Sequence, residues 1–289
     1  MTSNHRLFNW AIFFLLSFVW GSSFILMKIG MTRLSPYQVA SVRMVSAGIV
    51  LLPIAVKRFR EIPRQHLGYI ILSGLLGSFF PAYLFCIAET RIDSALAGIL
   101  NALTPICVII VGLLFFQSRS TRNQVIGVVT GFVGLCLLFI TKGKIDLTYI
   151  SYSVLVVVAT ISYGLNVNMV NRHLHHIPSL NIAAFAFSFL LFPSLLVLAL
   201  TGFFSMDFGD AETLKSIGAS ALLGITGTAI ATILFYVLLK RAGTIFASLV
   251  TYGIPFVAIF WGLLAGEAIT ALQIVCLIMI LAGVYISRR

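Results

Sequence analysis

The sequence predicts an all-α membrane protein in which ten transmembrane helices form two inverted five-helix repeats around a central cavity. Three observations predict it. Of 289 residues, 60% are hydrophobic and 9% charged, and the mean hydropathy is +1.08. A soluble domain carries roughly 25% charge. At ~20 apolar residues per spanning helix plus short loops, this length holds about ten spans and no sizeable extramembrane domain. The second half also repeats the first. Shifting the numbering by 150 lays Leu72 to Leu114 on Leu222 to Leu264 without a gap, with twelve identities. Leucine matches come cheaply in so apolar a chain, but Gly74/Gly224, Gly77/Gly227, Gly112/Gly262 and Pro105/Pro255 each fix a backbone property. Five spans per repeat is an odd number, so the repeats, residues 1–144 and 145–289, must insert upside down relative to each other.

The spans follow from apolar runs and the breaks between them. The first, 8–29, imitates a signal peptide, with Arg6, an apolar run from Phe8 and small residues at Gly21 to Ser23. The apolar character resumes at Phe24 and gives a full span, which the repeat needs as partner of the sixth. Ser35-Pro36 opens the second, 38–56, and the basic stretch Lys57 to Arg64 separates it from the third, 67–88. The fourth, 94–116, ends before Ser118 to Arg122, and the fifth, 124–141, before Lys142 to Asp146. The sixth and seventh are 149–170 and 179–201. Asp207 to Lys215 precedes the eighth, 217–239, and the last two are 244–265 and 271–287. With the N-terminus inside, twelve Lys and Arg fall on the cytoplasmic side, six fall on the other, and Arg43 alone falls within a span. That bias places both termini in the cytoplasm of a multi-pass protein of a bacterial inner membrane.

Several function classes drop out. The net charge of +11 comes from basic residues at helix ends, with no basic run interleaved with aromatics, so no nucleic acid partner is expected. Cys86, Cys107, Cys136 and Cys276 all sit in apolar stretches, without metal-ligand or disulfide spacing. No His-Glu-x-x-His, paired intramembrane aspartates or Ser/His couple is present, so neither an enzyme, a metal nor a cofactor is expected. His173, His175 and His176 read as a solvated loop. Gly127-x-x-x-Gly131, with Gly134 beyond, reads as a packing face, for a homodimer or within a monomer.

Candidate site residues lie on polar stripes. In the ninth span Thr244, Ser248, Thr251, Tyr252 and Pro255 share one helical face, and in the fourth Ser94, Gly98, Asn101, Ala102 and Pro105 do so. Such faces look at protein or water rather than lipid, so they serve either helix packing or cavity lining. Pro105 and Pro255 each free a carbonyl one turn earlier and are the expected hinges. Trp20-Gly21 and Tyr163-Gly164 set an aromatic–glycine pair at mid-helix in both halves. Ser23, Phe80, Tyr83, Thr104, Asn166, Thr228 and Tyr236 complete the expected substrate contacts, since aromatic faces beside hydroxyls and amides hold an amphipathic metabolite. Arg43 reads either as a counter-ion for a substrate carboxylate or phosphate or as a brace for neighbouring backbone. Glu89 reads either as a charge-coupling acid or as an interfacial residue paired with Arg91 or Arg33. Both it and Glu267 are expected to reach water, leaving no buried acid.

These residues carry a resemblance. Trp20-Gly21-Ser22-Ser23-Phe24 with Lys28, Pro36 followed by Arg43, Thr104-Pro105, Gly127, Gly131 and Gly134, then Pro255, Gly262, Gly266-Glu267 and Gly283 resemble the drug/metabolite transporter superfamily, specifically the ten-helix EamA-like permeases. The resemblance implies an inverted pair of five-helix bundles with a cavity lined by helices one, three, four, six, eight and nine. It implies a secondary-active permease, expected to export amino acids or related metabolites by alternating access, with a small-molecule substrate, the bilayer and a coupling ion such as H+ as partners. Multidrug efflux of cationic or amphipathic compounds is the alternative, and a lipid-associated flippase a further one. The chain departs from the family's pattern in having Gln117 where an acid often matches Glu267, and no counterpart of Arg43 in the seventh span.

Overall fold

A computed structural model describes residues 3–117, 121–123, 126–127, 129–130, 133–134, 137 and 147–288. All regular structure among them is helical. Eight helical segments are long and apolar enough to cross a membrane: Arg6–Gly30, Pro36–Lys57, Arg64–Ala88, Ser94–Phe116, Tyr149–His173, Ser179–Leu200, Ala211–Thr244 and Phe246–Leu264. A shorter apolar helix, Ala271–Gly283, follows. The fifth expected span lies largely outside the described residues, as do Gly131, Cys136 and the expected boundary between the repeats. The other nine expected spans coincide with observed helices. The eighth begins earlier than expected because Asp210 caps it, accepting from the Thr213 backbone N–H at 3.0 Å.

Several spans are interrupted, and those in the third and fourth recur at equivalent places in the eighth and ninth. The first divides at Ser22 into α1 (Ser3–Gly21) and α2 (Ser23–Gly30), and the second is the single helix α3 (Pro36–Lys57). The third consists of α4 (Arg64–Gly74) and α5 (Phe80–Ala88), joined by a π-helical segment, Leu75–Phe79. In the second half α10 (Ala211–Leu222) and α11 (Ala231–Ser248) are joined by the π-helical segment Leu223–Ile230. These wide turns sit at the Gly74/Gly224 and Gly77/Gly227 pairs, and π segments inside α-helices are frequent at functional sites. The fourth span divides at Ala102–Leu103 into α6 (Ser94–Asn101) and α7 (Thr104–Phe116). Its counterpart passes through a 3-10 turn, Leu249–Tyr252, into α12 (Gly253–Leu264).

The prolines therefore act differently from the expected mid-helix bend. Pro105 and Pro255 stand in the first turn of α7 and α12, where an N–H has no helical acceptor, so a missing one costs little. The break comes before them. The Asn101 carbonyl freed by Pro105 accepts the Thr104 hydroxyl at 2.7 Å.

The remaining helices are α8 (Leu147–His173), α9 (Ser179–Leu200) and α13 (Ala271–Arg288). One continuous core of buried apolar residues runs through both halves, while Leu7, Phe14, Phe192, Leu200 and Leu264 face outward as lipid-facing surface must. At one end of the bundle Lys28 pairs with Glu267, Arg33 with Asp210 at 3.5 Å, and the Gln38 amide donates to the Thr201 carbonyl at 3.0 Å. At the other, Arg58 and Glu61 both bond Asn181, Lys240 donates to the Ile177 carbonyl, and His66 meets His176 at 3.1 Å between ring nitrogens. Every one of these except the last two joins an early residue to one beyond 180, and His66–His176 also crosses halves. His173 stacks on Tyr69 with centroids 4.3 Å apart, so the histidine loop is docked rather than free. Gly134 packs against Met279 and Ile280 of α13, an intramolecular use of that glycine face.

α3 crosses the second π segment at close quarters. A Cβ on Gly224 would overlap both the Ser46 hydroxyl and the Arg43 carbonyl, and the carbonyl is backbone that cannot swing away. Gly224→Ala should therefore lower stability in detergent by on the order of 1–3 kcal/mol. Gly218→Ala, where nothing lies within 4 Å, should be neutral or stabilise by up to about 1 kcal/mol. Denaturant unfolding of both variants checks this, and equal stability of the two would contradict the close crossing.

Candidate functional site: a cavity between the two halves

Where the two π segments face each other across α1, α6, α8 and α12, the bundle leaves a cavity. With its opening it holds about 830 Å³ of empty space. Nine of the twelve expected contacts line it: Trp20, Ser23, Asn101, Thr104, Tyr163, Asn166, Thr228, Tyr236 and Thr251. Arg43 lines it as well. Each is held by a partner that the fold supplies. The Trp20 indole N–H donates to the Gly227 carbonyl of the π segment at 2.9 Å, and its ring lies 5.3 Å from that of Phe235. That fixes it in mid-bundle. Tyr236 bonds Ser73 at 2.7 Å and receives the Asn166 amide at 3.3 Å. Asn166 can approach because Gly77 has no side chain to block it. The Asn166 amide oxygen is left without a hydrogen-bond partner. Tyr163 faces Phe85 with rings nearly parallel, 6.3 Å apart.

Three expected contacts stand elsewhere. Phe80 is 48% exposed and turns outward with the lipid-facing surface. It lies one residue beyond the wide turn, which rotates the helical face relative to an unbroken count. Tyr83 closes on Ser41 of α3 at 2.6 Å, a contact between helices. Tyr252 lies in the 3-10 turn, where three residues per turn carry it off the stripe that Ser248 and Thr251 keep. The cavity also takes in Phe24, Met27, Ser78, Phe85, Thr232, Phe235 and Ser248. Of these Ser248 stood on the polar stripe of the ninth span, and Ser78 and Thr232 are further mid-span hydroxyls. Met27 and Phe85 carried no polar signal, since an apolar residue in a membrane helix looks the same whether it meets lipid or ligand.

Beyond the cavity, at the Glu267 end, a polar knot ties three spans together. α12 ends in a Schellman turn: Gly266 takes φ 80°, its N–H bonds Leu263 at 3.1 Å, and the Glu267 N–H bonds the Gly262 carbonyl at 2.8 Å. This presents the Glu267 carboxylate to the start of α6, where it accepts from the backbone N–H groups of Ser94 and Ala95, each at 3.2 Å. Its remaining partner is Lys28 at the end of α2. The helix N-terminus and the ammonium both favour the ionised acid. Burial pushes Glu267 up, but Lys28 and the two backbone donors outweigh it and hold the carboxyl below its ordinary value. Gln117 closes the first-half helix in the same way, its N–H bonding Gly112, with φ 55°.

The sequence expectation of no buried acid is overturned here. Glu89 is 5% exposed and pairs with neither Arg91 nor Arg33. The chain turns directly after α5 and folds its carboxylate under α6, where Oε2 accepts the Ser94 hydroxyl at 3.3 Å and Oε1 has no partner. The side chain of Glu267 is likewise only 6% exposed. Among the described residues there is no cluster of three metal-ligating side chains.

A bundle of membrane-spanning helices that keeps a polar cavity between its halves is the construction of a membrane transporter of small molecules. The EamA-like transporter family matches residues 9–140 and again 150–289, and the chain belongs to that family. It is 24% identical over 287 residues to an uncharacterised transporter of Archaeoglobus fulgidus, covering 97% of this chain and 99% of the relative. It is 25% identical over 279 residues to a probable amino-acid metabolite efflux pump of Salmonella typhimurium, covering 93% and 91%. A crystal structure with 19% identity matches 100% of this chain and 99% of its own with a TM-score of 0.65, a likeness of fold.

The knot has a signature in pH. A carboxyl whose folded pKa is depressed stabilises the fold above its unfolded value, about 4.3 for Glu, and that contribution fades as the pH falls through the lower folded value. Glu267→Gln should cost about 1–3 kcal/mol at pH 7 and remove this part of the loss on acidification. Unfolding of wild type and variant in detergent between pH 7 and 3 tests it, and parallel curves would refute it.

Proposed function

We propose that the protein is a secondary-active exporter of amino acids or related small metabolites, working by alternating access of the central cavity. The observation that carries this reading is the cavity itself, lined from both halves by matched elements: the two π segments, and the broken helices at Asn101 and Thr251. The grouping of contacts at the two ends supports inverted repeats. The first span starts at the end where the sixth finishes, since Arg241 beside His176's end bonds Asn9 at 3.3 Å, while Lys28 lies at the Glu267 end. In this reading ten helices form two repeats, 1–144 and 145–289, with both termini on the cytoplasmic side of the inner membrane. The Glu267 end then faces outward. Rocking of one bundle against the other bends the chain at the breaks before Pro105 and Pro255, and release to the outside requires the Lys28–Glu267 knot to part. The name of the Salmonella relative supports the substrate class.

H+ is the coupling ion in this reading, and Glu89 its carrier. Glu89 and Glu267 both bond Ser94, and Lys28 already serves Glu267. Two carboxylates sharing one residue and one lysine favour a proton on the less satisfied of the pair. Glu89, with an orphan oxygen, is that one. A buried acid also answers one objection to cation efflux, but Glu89 lies outside the cavity lining.

Two experiments test this. Asn101→Leu and Thr251→Leu should each reduce flux at least about tenfold, the effect of one unpaired polar group, while leaving the protein monodisperse. Proteoliposomes loaded with a mixed amino-acid and metabolite pool and read by mass spectrometry report the flux, and undiminished flux would remove the site. Wild-type flux should respond to an imposed pH gradient, whereas Glu89→Gln flux should ignore it. A variant that still follows the gradient takes the coupling role away from Glu89.

A further inference from the structure

The cavity is charged in one sense only. Of its lining residues Arg43 alone is ionisable near neutral pH as a full charge, and no carboxylate lines it. Among the described residues no acid lies within ion-pair distance of Arg43. Its one hydrogen bond runs from Nε to the Thr228 hydroxyl at 2.6 Å, and Thr228 is itself held in the π segment, bonding the Leu223 carbonyl at 3.4 Å. An arginine serving only as a brace spends its terminal amino groups on carbonyls or carboxylates. This one is aimed through Nε and leaves the forked end for something else. Such a fork fits a carboxylate with two parallel hydrogen bonds.

The second observation is Asn166. Only 4% exposed, it lines the same cavity, and its amide oxygen is buried without a hydrogen-bond partner. Trp20 and Tyr163 supply aromatic walls between. We propose that Arg43 is a specificity-determining residue of this cavity, and that its ligand is a net organic anion: a carboxylate with an apolar or aromatic body. The inference rests on the transport reading and narrows it. An ammonium in this cavity finds no carboxylate, and a buried unpaired charge is costly. Carboxylates whose amino group is absent or acylated are thus favoured over zwitterions, and both over cations.

The test uses the full chain purified in detergent and four probes that share a benzyl group: phenylacetate, 2-phenylacetamide, phenylalanine and 2-phenylethylamine. Binding is measured by calorimetry, so it does not depend on transport. Phenylacetate should bind at least about tenfold tighter than the amide, the step expected for a charge-assisted hydrogen bond, with phenylethylamine weakest. Arg43→Gln should erase the acid-over-amide preference, and Arg43→Lys should keep part of it. Thr228→Val, which removes the partner that aims Arg43 together with a lining hydroxyl, should shrink the acid-over-amide preference. Equal binding of acid and amide by the wild type overturns the proposal, as does tightest binding of the amine or of phenylalanine, a preference that survives Arg43→Gln, or binding of none of the four. The wild-type ladder stands even where a variant fails to fold. Binding in the predicted order without flux in proteoliposomes sinks the transport reading instead.

Discussion

A backbone carbonyl or N–H in hydrocarbon has no water to turn to, so every place where this chain leaves the regular α-helix must be covered by protein or open onto a polar cavity. That constraint organises the molecule. The π segments at Leu75–Phe79 and Leu223–Ile230 and the breaks at Ala102 and Leu249–Tyr252 all converge on the same interior space. Their loose groups find partners. Trp20 takes the Gly227 carbonyl from across the bundle, and Thr104 takes that of Asn101 within its own span. The irregular backbone does not merely surround the cavity; it is tolerable only because the cavity and its lining side chains satisfy it.

The same constraint explains the distribution of charge. Ion pairs gather at the two ends of the bundle, where loops from both halves meet. Within the span only Arg43 approaches the cavity, and it is stabilised by a hydroxyl of the π segment rather than by an acid.

The two halves are alike in backbone and unlike in chemistry. Gln117 and Glu267 end their helices with the same closure onto Gly112 and Gly262. Glu267 additionally bonds a lysine and a helix start, whereas Gln117 brings no charge to the other end. There the halves are held by Asn181, by a histidine pair and by Lys240 on a carbonyl. Similar backbone closures thus carry different side-chain chemistry at the two ends of the bundle.

By itself the sequence determined the membrane class, nine of the helices described, and the equivalence of the halves, because hydropathy and the Gly and Pro pairs act locally and survive without knowledge of the fold. It also placed most of the polar lining, since a hydroxyl or amide in mid-span has few other uses. Tertiary structure decided what depends on rotation and on distant partners. A wide turn swung Phe80 to the lipid face, and a 3-10 turn took Tyr252 off its stripe. Glu89 was buried by a turn in the chain and by Ser94, and Glu267 by residues more than 170 positions away. Apolar lining residues such as Met27 became distinguishable only once the cavity existed, for hydrophobicity alone carries no information about which apolar neighbour a side chain will meet.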